Sequence, residues 1–414
     1  MRDTELYARI LGIEEPWRVV DVELRLESGE VEVVVEHGGK ERLACPECGV
    51  AAPGYDTRER RWRHLDTCQY RTILVGRVPR VRCSEHGVRM IRVPWAERRS
   101  PFTALFEALV IDWLRAANTR AVASRLGLSW DQVDGVMQRA VARGLARRKP
   151  AVPRQAGVDE TSFAKRHEYV TLVADLEEGV VQHVADGRGK EALGAYYAGF
   201  SHEELSAIET VAMDMWGPYI AATLEAVPGA AEKIAFDKFH VAMHLGEAVD
   251  RVRRQENRLL RERGDDTLKG TKHLWLYHPD RLPEKHRGHF DALAAKSLKT
   301  SRAWMLKELA MEMWEARDAA EAVEIFKGWY SWAIRSRLEP IKRVARMLRR
   351  HLEGVLNAIR SGVTNARLEG LATRIQWLKR SARGYRNRER FRAAIYFHLG
   401  GLNLYPASLT HTNS

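Results

Sequence analysis

The stretch from residue 156 to residue 184 constrains the fold most, because it contains three short runs rich in β-branched residues, separated by polar breaks or turns. The runs cover residues 156–161, 169–174 and 179–184, and they predict three antiparallel strands of a meander. The first run carries Asp159 within an apolar frame. A carboxylate in such a place costs free energy unless it is paired or binds a cation. For Asp159 alone, a solvent-facing strand position is the alternative, since side chains alternate between the faces of a sheet.

Two further acidic residues lie on predicted elements downstream. Asp214 ends a short apolar run over residues 209–214, and the Gly-Pro pair that follows suits the opening of a helix. Glu369 lies in the first turns of a long helix that is predicted to run from about Asn365 to Ser381. A strand aspartate, a second aspartate at the end of a later strand and a helical glutamate make up a DDE triad of the ribonuclease-H-like kind.

The three carboxylates predict a metal-dependent site. Three such groups that converge on one point repel each other unless divalent cations neutralise them. Two Mg²⁺ ions, with Mn²⁺ as the alternative, suit Asp159, Asp214 and Glu369 as ligands, and this arrangement suits phosphodiester chemistry. Asp237 is a rival for the second position, because it also ends an apolar run. We prefer Asp214, because the ribonuclease-H-like order places the second carboxylate at the end of the fourth strand.

Cysteine and histidine spacing near the N-terminus predicts a zinc site. A C-x-x-C knuckle and a later C-x-x-H knuckle each let two ligands reach one tetrahedral ion, and thiolate with imidazole ligands favours Zn²⁺. Four cysteines in a cytoplasmic chain are more typical of metal ligands than of disulfides. His64 and Cys68 remain alternatives for the fourth ligand. The predicted ligands are Cys45, Cys48, Cys83 and His86.

Residues 102–148 change to helical periodicity and predict a DNA-reading unit. A short helix over residues 121–126 precedes a turn at Gly127, and Ser129 with Gln132 forms a capping box for the next helix. This order is typical of a helix-turn-helix, whose second helix reads DNA. Any three-helix packing unit is the alternative. The residues predicted to contact DNA at the start of the second helix are Trp130 and Gln132.

The charge balance favours a polyanionic partner. The chain has a formal net charge of +12 and a pI near 9.6, which is typical of nucleic-acid-binding proteins. No apolar run approaches the roughly 18 residues that span a membrane, and the start lacks the layout of a signal peptide. We therefore expect a cytoplasmic protein, associated with the nucleoid when it is bound to DNA. The arginines predicted to contact DNA from the helical regions are Arg253, Arg254, Arg374, Arg380 and Arg383.

Together these motifs resemble those of the ISL-three family of bacterial insertion-sequence transposases. The matching runs are GVDE at 157–160, DMW at 214–216, FDKFH at 236–240, TNARLEG at 364–370 and LKRSARGYRN at 378–387. With the cysteine module, the resemblance covers nearly the whole chain. It implies an N-terminal zinc-binding module. It also implies a supporting role near the active site for Asp237 and His240, whose segment is characteristic of the family.

The predicted fold class is multidomain α+β. It has an N-terminal zinc-binding β module, a helix-turn-helix, and a ribonuclease-H-like α/β catalytic core that is interrupted by an all-helical insertion. Alternating apolar residues over 17–43 predict a hairpin in the first module. The predicted domains are residues 1–95 (strands and zinc module), 96–148 (helix-turn-helix), 149–240 (first part of the core), 241–355 (helical insertion), 356–402 (glutamate helix and C-terminal helix) and 403–414 (tail).

These features predict a DNA transposase that binds insertion-sequence ends, cleaves them with Mg²⁺ and transfers strands through the freed 3′-hydroxyl. The expected partners are double-stranded DNA at terminal inverted repeats, target DNA and a second copy of the chain in a homodimer. The alternative from another class is a non-catalytic zinc and helix-turn-helix DNA-binding regulator derived from a transposase. The presence of all three carboxylates counts against it. A structure-specific nuclease on the same fold would not need two N-terminal DNA-reading modules.

Overall fold

The structure is a computed structural model, and it describes residues 2–39, 43–164, 168–278, 280, 282–296, 298–363 and 366–407. The chain divides into two units. Residues 1–149 and 393–414 form the first, and residues 150–392 form the second. In the described part of the chain, no helix is long and apolar enough to cross a membrane.

The first unit begins with a mixed sheet that follows helix α1 (Asp3–Leu11). The strands lie in the order β1-β2-β4-β3, and β5 pairs with β4. β1 and β2 are antiparallel, as the predicted hairpin requires. The rings of Trp17 and Trp62 both pack edge-on against Trp95, with centroid distances of 4.8 and 5.5 Å, and anchor the core of this sheet. The strands are β1 (Trp17–Arg25), β2 (Glu30–His37), β3 (Gly54–Arg63), β4 (Arg71–Cys83) and β5 (Gly87–Met90).

Three helices follow, namely α2 (Ala104–Ala116), α3 (Thr119–Leu126) and α4 (Trp130–Arg147). Each begins at a polar N-cap whose side chain accepts a backbone hydrogen bond, as such residues do at helix starts. The predicted capping box of Ser129 and Gln132 is confirmed. Gly127 ends α3 with a φ of +63°, a conformation that glycine adopts without strain. The order of elements is that of the predicted helix-turn-helix.

A buried carboxylate joins α2 to α4. Glu107 is 1% exposed, and its Oε1 accepts hydrogen bonds from Ser100 Oγ at 2.7 Å and Arg139 Nε at 2.7 Å. Arg143 Nη2 donates to the other oxygen at 2.9 Å. A buried charge is tolerated when it is paired and hydrogen-bonded in this way. The network therefore fixes how α4 lies against α2.

Residues near the C-terminus pack against α4 within the same unit. Arg143 Nη1 donates to the carbonyl oxygen of Leu404 at 2.6 Å, and Arg147 Nη1 donates to that of Tyr405 at 2.6 Å. A Cβ at Gly144 would lie 2.7 Å from the Cβ of Leu402, so the two segments are in close contact. The sequence assigns residues 403–414 to a tail and indicates that it is frayed. In the structure, Arg143 and Arg147 of α4 instead donate to the backbone carbonyls of residues 403–405. Residues 408–414 lie outside the described residues.

The second unit contains a five-stranded sheet in the order β10-β9-β6-β7-β8. The predicted meander is confirmed, because β6, β7 and β8 pair antiparallel. β9 pairs parallel with β6, and β10 pairs parallel with β9. The strands are β6 (Gln155–Ala164), β7 (Glu168–Asp175), β8 (Val180–Asp186), β9 (Thr210–Met213) and β10 (Ile234–Phe236). The helices between them are α5 (Lys190–Tyr197), α6 (His202–Ser206), α7 (Gly217–Ala226) and α8 (Ala230–Lys233).

Helices make up the region after β10, and its described residues contain no strand up to residue 361. Trp275 and Trp329 are buried at its centre, and Trp329 Nε1 donates to the carbonyl oxygen of Leu306 at 2.7 Å. The helices are α9 (Lys238–Arg261), α10 (Glu284–Ala294), α11 (Lys299–Met311), α12 (Ala319–Arg335), α13 (Glu339–Arg350) and α14 (Leu352–Ser361). Short 3-10 helices cover Leu274–Leu276 and Glu312–Glu315.

Helices α15 (Ala366–Ser381) and α16 (Arg388–Leu399) complete the chain. The predicted apolar stripe of α15 is confirmed, since Leu368, Leu371, Ile375 and Leu378 are all buried. Thr364 and Asn365, where the predicted helix was expected to begin, lie outside the described residues. The boundary between the two units falls within α16, between residues 392 and 393.

Candidate functional site

Three aspartates lie side by side across the parallel part of the second sheet. Gly157 of β6 pairs with Ala212 of β9, and Asp159 and Asp214 each follow this pair by two residues. Because β9 ends at Met213, Asp214 lies just beyond the paired register. Phe236 of β10 pairs with Met213, so the next residue, Asp237, is level with Asp214 on the other side. Neighbouring strands are about 4.8 Å apart. We name this set, Asp159, Asp214 and Asp237, the acid row.

Two members of the acid row follow directly after short, fully buried strands. Every residue of β9 and β10 is buried, and each strand is followed directly by an aspartate. Parallel strands bring their carboxyl ends to the same edge of a sheet, where ligand sites are commonly found. From the sequence, Asp214 and Asp237 were alternatives for the second carboxylate of the site. In the structure both lie near Asp159, so they do not exclude each other.

Burial and mutual repulsion make the ionised form of Asp159 in the acid row less favourable than in water. Burial raises the pKa of Asp159, and the carboxylates of Asp214 and Asp237 raise it further, while the backbone N–H of Glu160 and the nearby His240 oppose this shift. One oxygen of Asp159 accepts a hydrogen bond from Glu160 N at 2.7 Å, and one oxygen of Asp214 accepts from Met215 N at 2.6 Å. A cation would relieve the remaining repulsion.

Asp237 and His240 form a pair at one end of the acid row. Asp237 Oδ2 lies 3.4 Å from His240 Nδ1. Both atoms are buried, and neither has an aligned hydrogen-bond partner among the described residues. Asp237, with help from Asp214 and Asp159, raises the pKa of His240 against the effect of burial. A buried carboxylate oxygen whose contact with a histidine is not an aligned hydrogen bond is the kind of group that a bound cation satisfies.

Glu369 is not part of the acid row but lies on helix α15, beside a cavity that one member of the row also lines. It is exposed on the first turns of α15, and it lines a cavity of about 1880 Å³ that Asp237 also lines. Two contacts hold α15 along β6, since Gln376 Nε2 donates to Thr161 Oγ1 at 3.2 Å and Lys379 Nζ donates to the carbonyl oxygen of Ser162 at 2.5 Å. The helix that carries Glu369 is thereby fixed to the strand that carries Asp159.

Hard divalent cations fit the chemistry of this site. The acid row and Glu369 offer only oxygen ligands, the kind that Mg²⁺ and Mn²⁺ prefer. Their oxygens do not all lie within 4.8 Å of one another, and in the described part of the chain the one set that meets this distance is formed by the cysteines and a histidine near the N-terminus. The ligand atoms of the acid row and Glu369 are therefore farther apart than those of the three cysteines and the histidine.

That second set has the dimensions of a zinc site. Cys48 Sγ lies 3.8 Å from Cys83 Sγ, and His86 Nδ1 lies 3.6 Å from Cys83 Sγ and 3.9 Å from Cys45 Sγ. Tetrahedral Zn²⁺ with bonds of about 2.0–2.3 Å separates its ligands by about 3.3–3.8 Å. The backbone N–H of His86 contributes most to lowering the pKa of Cys83 to about 6, which favours the thiolate that binds metal.

The same geometry answers which residue joins the three cysteines. His86 belongs to the set, whereas Cys68 is exposed outside it. His64 is buried and its Nδ1 lies 2.9 Å from Thr103 Oγ1, so it is committed to the interior instead. Spacing alone does not separate these alternatives, because all three residues lie within reach along the chain.

His64 predicts a pH dependence of stability. Burial, with the charge of Arg63 beside it, lowers the pKa of His64 to about 4, from 6.5 in the unfolded chain. Between these values the unfolded chain binds a proton that the folded chain rejects, so stability falls as the pH is lowered through this window. We expect the wild type to lose about 2 kcal/mol more than His64→Gln between about pH 7 and pH 5. Denaturant unfolding of both proteins at each pH measures this, and equal losses would contradict it.

The residues predicted to contact DNA fall into different environments. Gln132 Oε1 accepts a hydrogen bond from Ser129 N at 2.8 Å, so this oxygen serves the cap of α4. Trp130 beside it is 41% exposed. Arg253 is buried and donates to Asp250 at 2.7 and 2.9 Å. A buried, paired guanidinium is not presented to a phosphate, so we withdraw the expectation for Arg253. The predicted arginines that are exposed are Arg254, Arg374, Arg380 and Arg383.

Two residues beside the acid row were not singled out from the sequence. Burial and the charges of Asp159 and Asp214 raise the pKa of Glu160, which places this carboxylate close to the row. Arg188 Nη1 lies 3.8 Å from Glu160 Oε1. Glu160 could have been predicted from the sequence, since it directly follows Asp159 in the run that matches the family. Arg188 had none, because only the pairing of β7 with β8 brings its loop to this place.

Family models match three parts of the chain. One described as "Transposase" matches residues 156–395, which is more than half of the chain. A second, "zinc-finger of transposase IS204/IS1001/IS1096/IS1165", matches residues 41–86 and so ends at His86. A third, "Helix-turn-helix domain of transposase family ISL3", matches residues 91–141. The last two matches lie on the zinc-site residues and on the three helices described above.

Relatives are similar over most of the length of the chain. The transposase for insertion sequence element IS1557, from two strains of Mycobacterium tuberculosis, is 27% identical over 433 aligned residues, which cover 97% of this chain and 96% of that protein. The transposase for insertion sequence element IS1001 of Bordetella parapertussis is 28% identical over 356 residues, covering 84% of this chain and 87% of that protein.

Proposed function

The chain belongs to the transposase family ISL3, and we propose that it cuts DNA at the ends of an insertion sequence with Asp159, Asp214 and Glu369 as catalytic residues. The observation that carries this proposal is the parallel pairing of β6 with β9 up to Gly157 and Ala212, since Asp159 and Asp214 each follow that pair by two residues. Glu369 joins them in the proposal because α15 is bonded along β6 and because Glu369 lines the cavity that Asp237 lines. The intact carboxylates count against a non-catalytic DNA-binding regulator.

We propose a ribonuclease-H-like core for the second unit. In that fold three antiparallel strands are followed by two parallel ones, and the order β10-β9-β6-β7-β8 agrees with this arrangement. The helices between β10 and α15 are then the helical insertion, since they separate the last strand from the helix of Glu369. The core so defined comes from both sides of the insertion along the chain.

Two Mg²⁺ ions, or Mn²⁺ in their place, would supply an activated water or 3′-hydroxyl and would stabilise the leaving oxygen. Asp159, Asp214 and Glu369 would hold them through carboxylate oxygens. Asp237 would support the site from the end of the acid row, where its buried Oδ2 faces His240. His240 lies beside these carboxylates, and Asp237, with Asp214 and Asp159, raises its pKa against the effect of burial.

The first unit would recognise the DNA. We propose that Cys45, Cys48, Cys83 and His86 bind one structural Zn²⁺, and that the helix-turn-helix and this module read the terminal inverted repeats. The exposed arginines of the second unit would contact phosphates of the element and of the target DNA. Two ends must be joined, so we also propose a homodimer on DNA.

A cleavage assay tests the catalytic proposal directly. Purified protein is mixed with Mg²⁺ and a supercoiled plasmid that carries the inverted repeats flanking its gene. We expect strand breaks at the element ends, followed by joining of the freed 3′-hydroxyls to target DNA. A plasmid with scrambled repeats is the control. Absence of end-specific breaks with both Mg²⁺ and Mn²⁺ would contradict the proposal.

A binding experiment separates recognition from phosphate contact. In the full chain, Trp130→Ala should lower the preference for an end duplex over a scrambled duplex by about tenfold, because groove contacts carry sequence information. Arg380→Gln should weaken binding to both duplexes alike and reduce the salt slope by about one. Competition binding across a salt series measures both quantities. The full chain is needed, because residues 400–405 pack against α4.

The contrary result is equally clear. If Trp130→Ala weakens both duplexes alike while Arg380→Gln changes the preference between them, then α4 is only a packing helix. Sequence recognition would in that case come from α15.

A further inference from the structure

Arg188 is held in place by aromatic rings beside the acid row. It lies in the loop between β8 and α5, and its Cζ is 4.3 Å from the ring centroid of Tyr169 and 4.7 Å from that of Trp216. Trp216 Nε1 also donates to the carbonyl oxygen of Arg188 at 2.9 Å. Two ring contacts and a backbone hydrogen bond therefore fix both the side chain and the loop that carries it.

Among the described residues, the guanidinium has no ion pair at hydrogen-bond distance. Its carboxylate contact there is Glu160, where Nη1 and Oε1 are 3.8 Å apart, beyond hydrogen-bond distance. The side chain is 36% exposed. Ring contacts use the positive charge of a guanidinium but leave its N–H groups able to donate to an anion. Within the part of the chain that the structure describes, Arg188 is thus a fixed cation whose side-chain N–H groups have no acceptor at hydrogen-bond distance.

The neighbours of Arg188 connect it to the acid row. Trp216 follows Asp214 by two residues, and Glu160 follows Asp159 by one. A phosphodiester that approached the carboxylates and their cations would bring its non-bridging oxygens close to this guanidinium. Arginine matches phosphate oxygens with two parallel N–H donors, and a side chain that is already fixed loses little conformational freedom on binding.

We propose that Arg188 binds a non-bridging oxygen of the DNA phosphate at or next to the cleaved bond. The proposal rests on the proposed function, and it adds a phosphate-binding residue to it. Tyr169 and Trp216 are then positioning residues that act through Arg188. The alternative is that Arg188 only links β7, α7 and Glu160 within the protein.

Neutral phosphates in the DNA distinguish these two roles. End duplexes are made with a single uncharged methylphosphonate at each position around the cleavage site. Binding and single-turnover cleavage are measured for the wild type, Arg188→Gln and Arg188→Lys. With wild type, we expect one position at which the neutral phosphate costs about tenfold or more, the range for a hydrogen bond to a charged group. With ordinary DNA, Arg188→Gln should show the same loss of binding or cleavage rate that the neutral phosphate causes in the wild type. With the neutral phosphate at that position, the variant should show no further loss.

Arg154→Gln is the matched control. Arg154 is an exposed arginine of the same unit, paired with Glu209, and it precedes Asp159 by five residues, about 16 Å along β6. Arg154→Gln removes one charge, but the neutral phosphate should reduce its binding or cleavage as much as it does for the wild type. Arg188→Lys should recover only part of the loss, since a lysine ammonium is a point charge without the paired donors.

The outcomes separate the two proposals. If the wild type cleaves and Arg188→Gln still shows the full cost at every position, Arg188 does not bind phosphate, and the proposed function stands. If the wild type does not cleave at element ends at all, the proposed function fails, whatever Arg188 does. Should Arg188→Gln unfold, the cycle is run with Arg188→Lys, for which an unreduced cost at every position likewise overturns the assignment of Arg188.

Discussion

Asp159→Asn, Asp214→Asn and Glu369→Gln should each reduce cleavage at the element ends by about a thousandfold or more. Each substitution removes one charged ligand of the proposed metal site at nearly constant shape, and a metal site of this kind supplies several kcal/mol of transition-state stabilisation. DNA binding should remain within a few-fold of the wild type, because the proposed reading elements lie in the other unit. Cleavage of the supercoiled donor and binding of the end duplex are measured for the same preparations.

Asp186→Asn is the control for this series. Asp186 also ends a strand of the same sheet, but it is half exposed and pairs with Arg392 at 3.2 Å. Its variant should cleave normally. The series also tests the second ligand, because the structure sets Asp214 and Asp237 side by side. Normal cleavage by Asp214→Asn together with inactive Asp237→Asn would move that role to Asp237.

Cys45→Ser should cause the second large effect, namely loss of zinc and unfolding of the module between residues 44 and 90. Binding of Zn²⁺ to small zinc modules is worth about 10–16 kcal/mol, which is comparable with the whole stability of a typical domain, about 5–15 kcal/mol. Loss of a contribution of this size should therefore loosen the residues around the site, between 44 and 90. Elemental analysis should find about one zinc per chain in the wild type and none in the variant.

Cys68→Ser is the matched control for the zinc prediction. Cys68 is exposed and lies outside the set formed by Cys45, Cys48, Cys83 and His86. Its variant should keep both the zinc and the amide protection of residues 44–90 in hydrogen exchange. Freshly purified wild type without zinc would contradict the prediction. Loss of zinc in Cys68→Ser would instead show that the fourth ligand is not His86.

The same two predictions act at different steps of the reaction. The variants of Asp159, Asp214 and Glu369 should bind the element ends and fail to cleave them. Cys45→Ser should lose selective binding first and cleavage in consequence, because the chemistry needs a positioned end. Strand transfer from a pre-nicked end duplex at high protein concentration separates the two, because the 3′-hydroxyl is already free and high concentration reduces the dependence on recognition.

Local patterns in the sequence determined the elements of this protein. β-branched runs with turns between them predicted the meander of β6, β7 and β8, and the capping box of Ser129 predicted where α4 begins. The spacing of Leu368, Leu371, Ile375 and Leu378 predicted the buried face of α15. These signals are reliable because each depends on residues only a few positions apart, whose geometry the backbone itself imposes.

The meeting of those elements was decided only by the tertiary structure. Asp214 and Asp237 both end apolar runs, and nothing local ranks them. The parallel register of β6, β9 and β10 makes them neighbours. His86 and not His64 joins the cysteines, because His64 is bonded to Thr103. Arg253 is buried against Asp250, and residues 403–405, which lie far from α4 in the sequence, pack on it.

The physical reason is that strand register and packing partners are properties of contacts between distant residues. A pattern of apolar and polar residues states which face of an element is buried, but it does not state against what. Shifting one strand by a single residue would turn every side chain to the other face and dissolve the acid row without changing any local signal. The residue types in this chain predicted a metal-dependent site, and long-range pairing decided which carboxylates stand together in it.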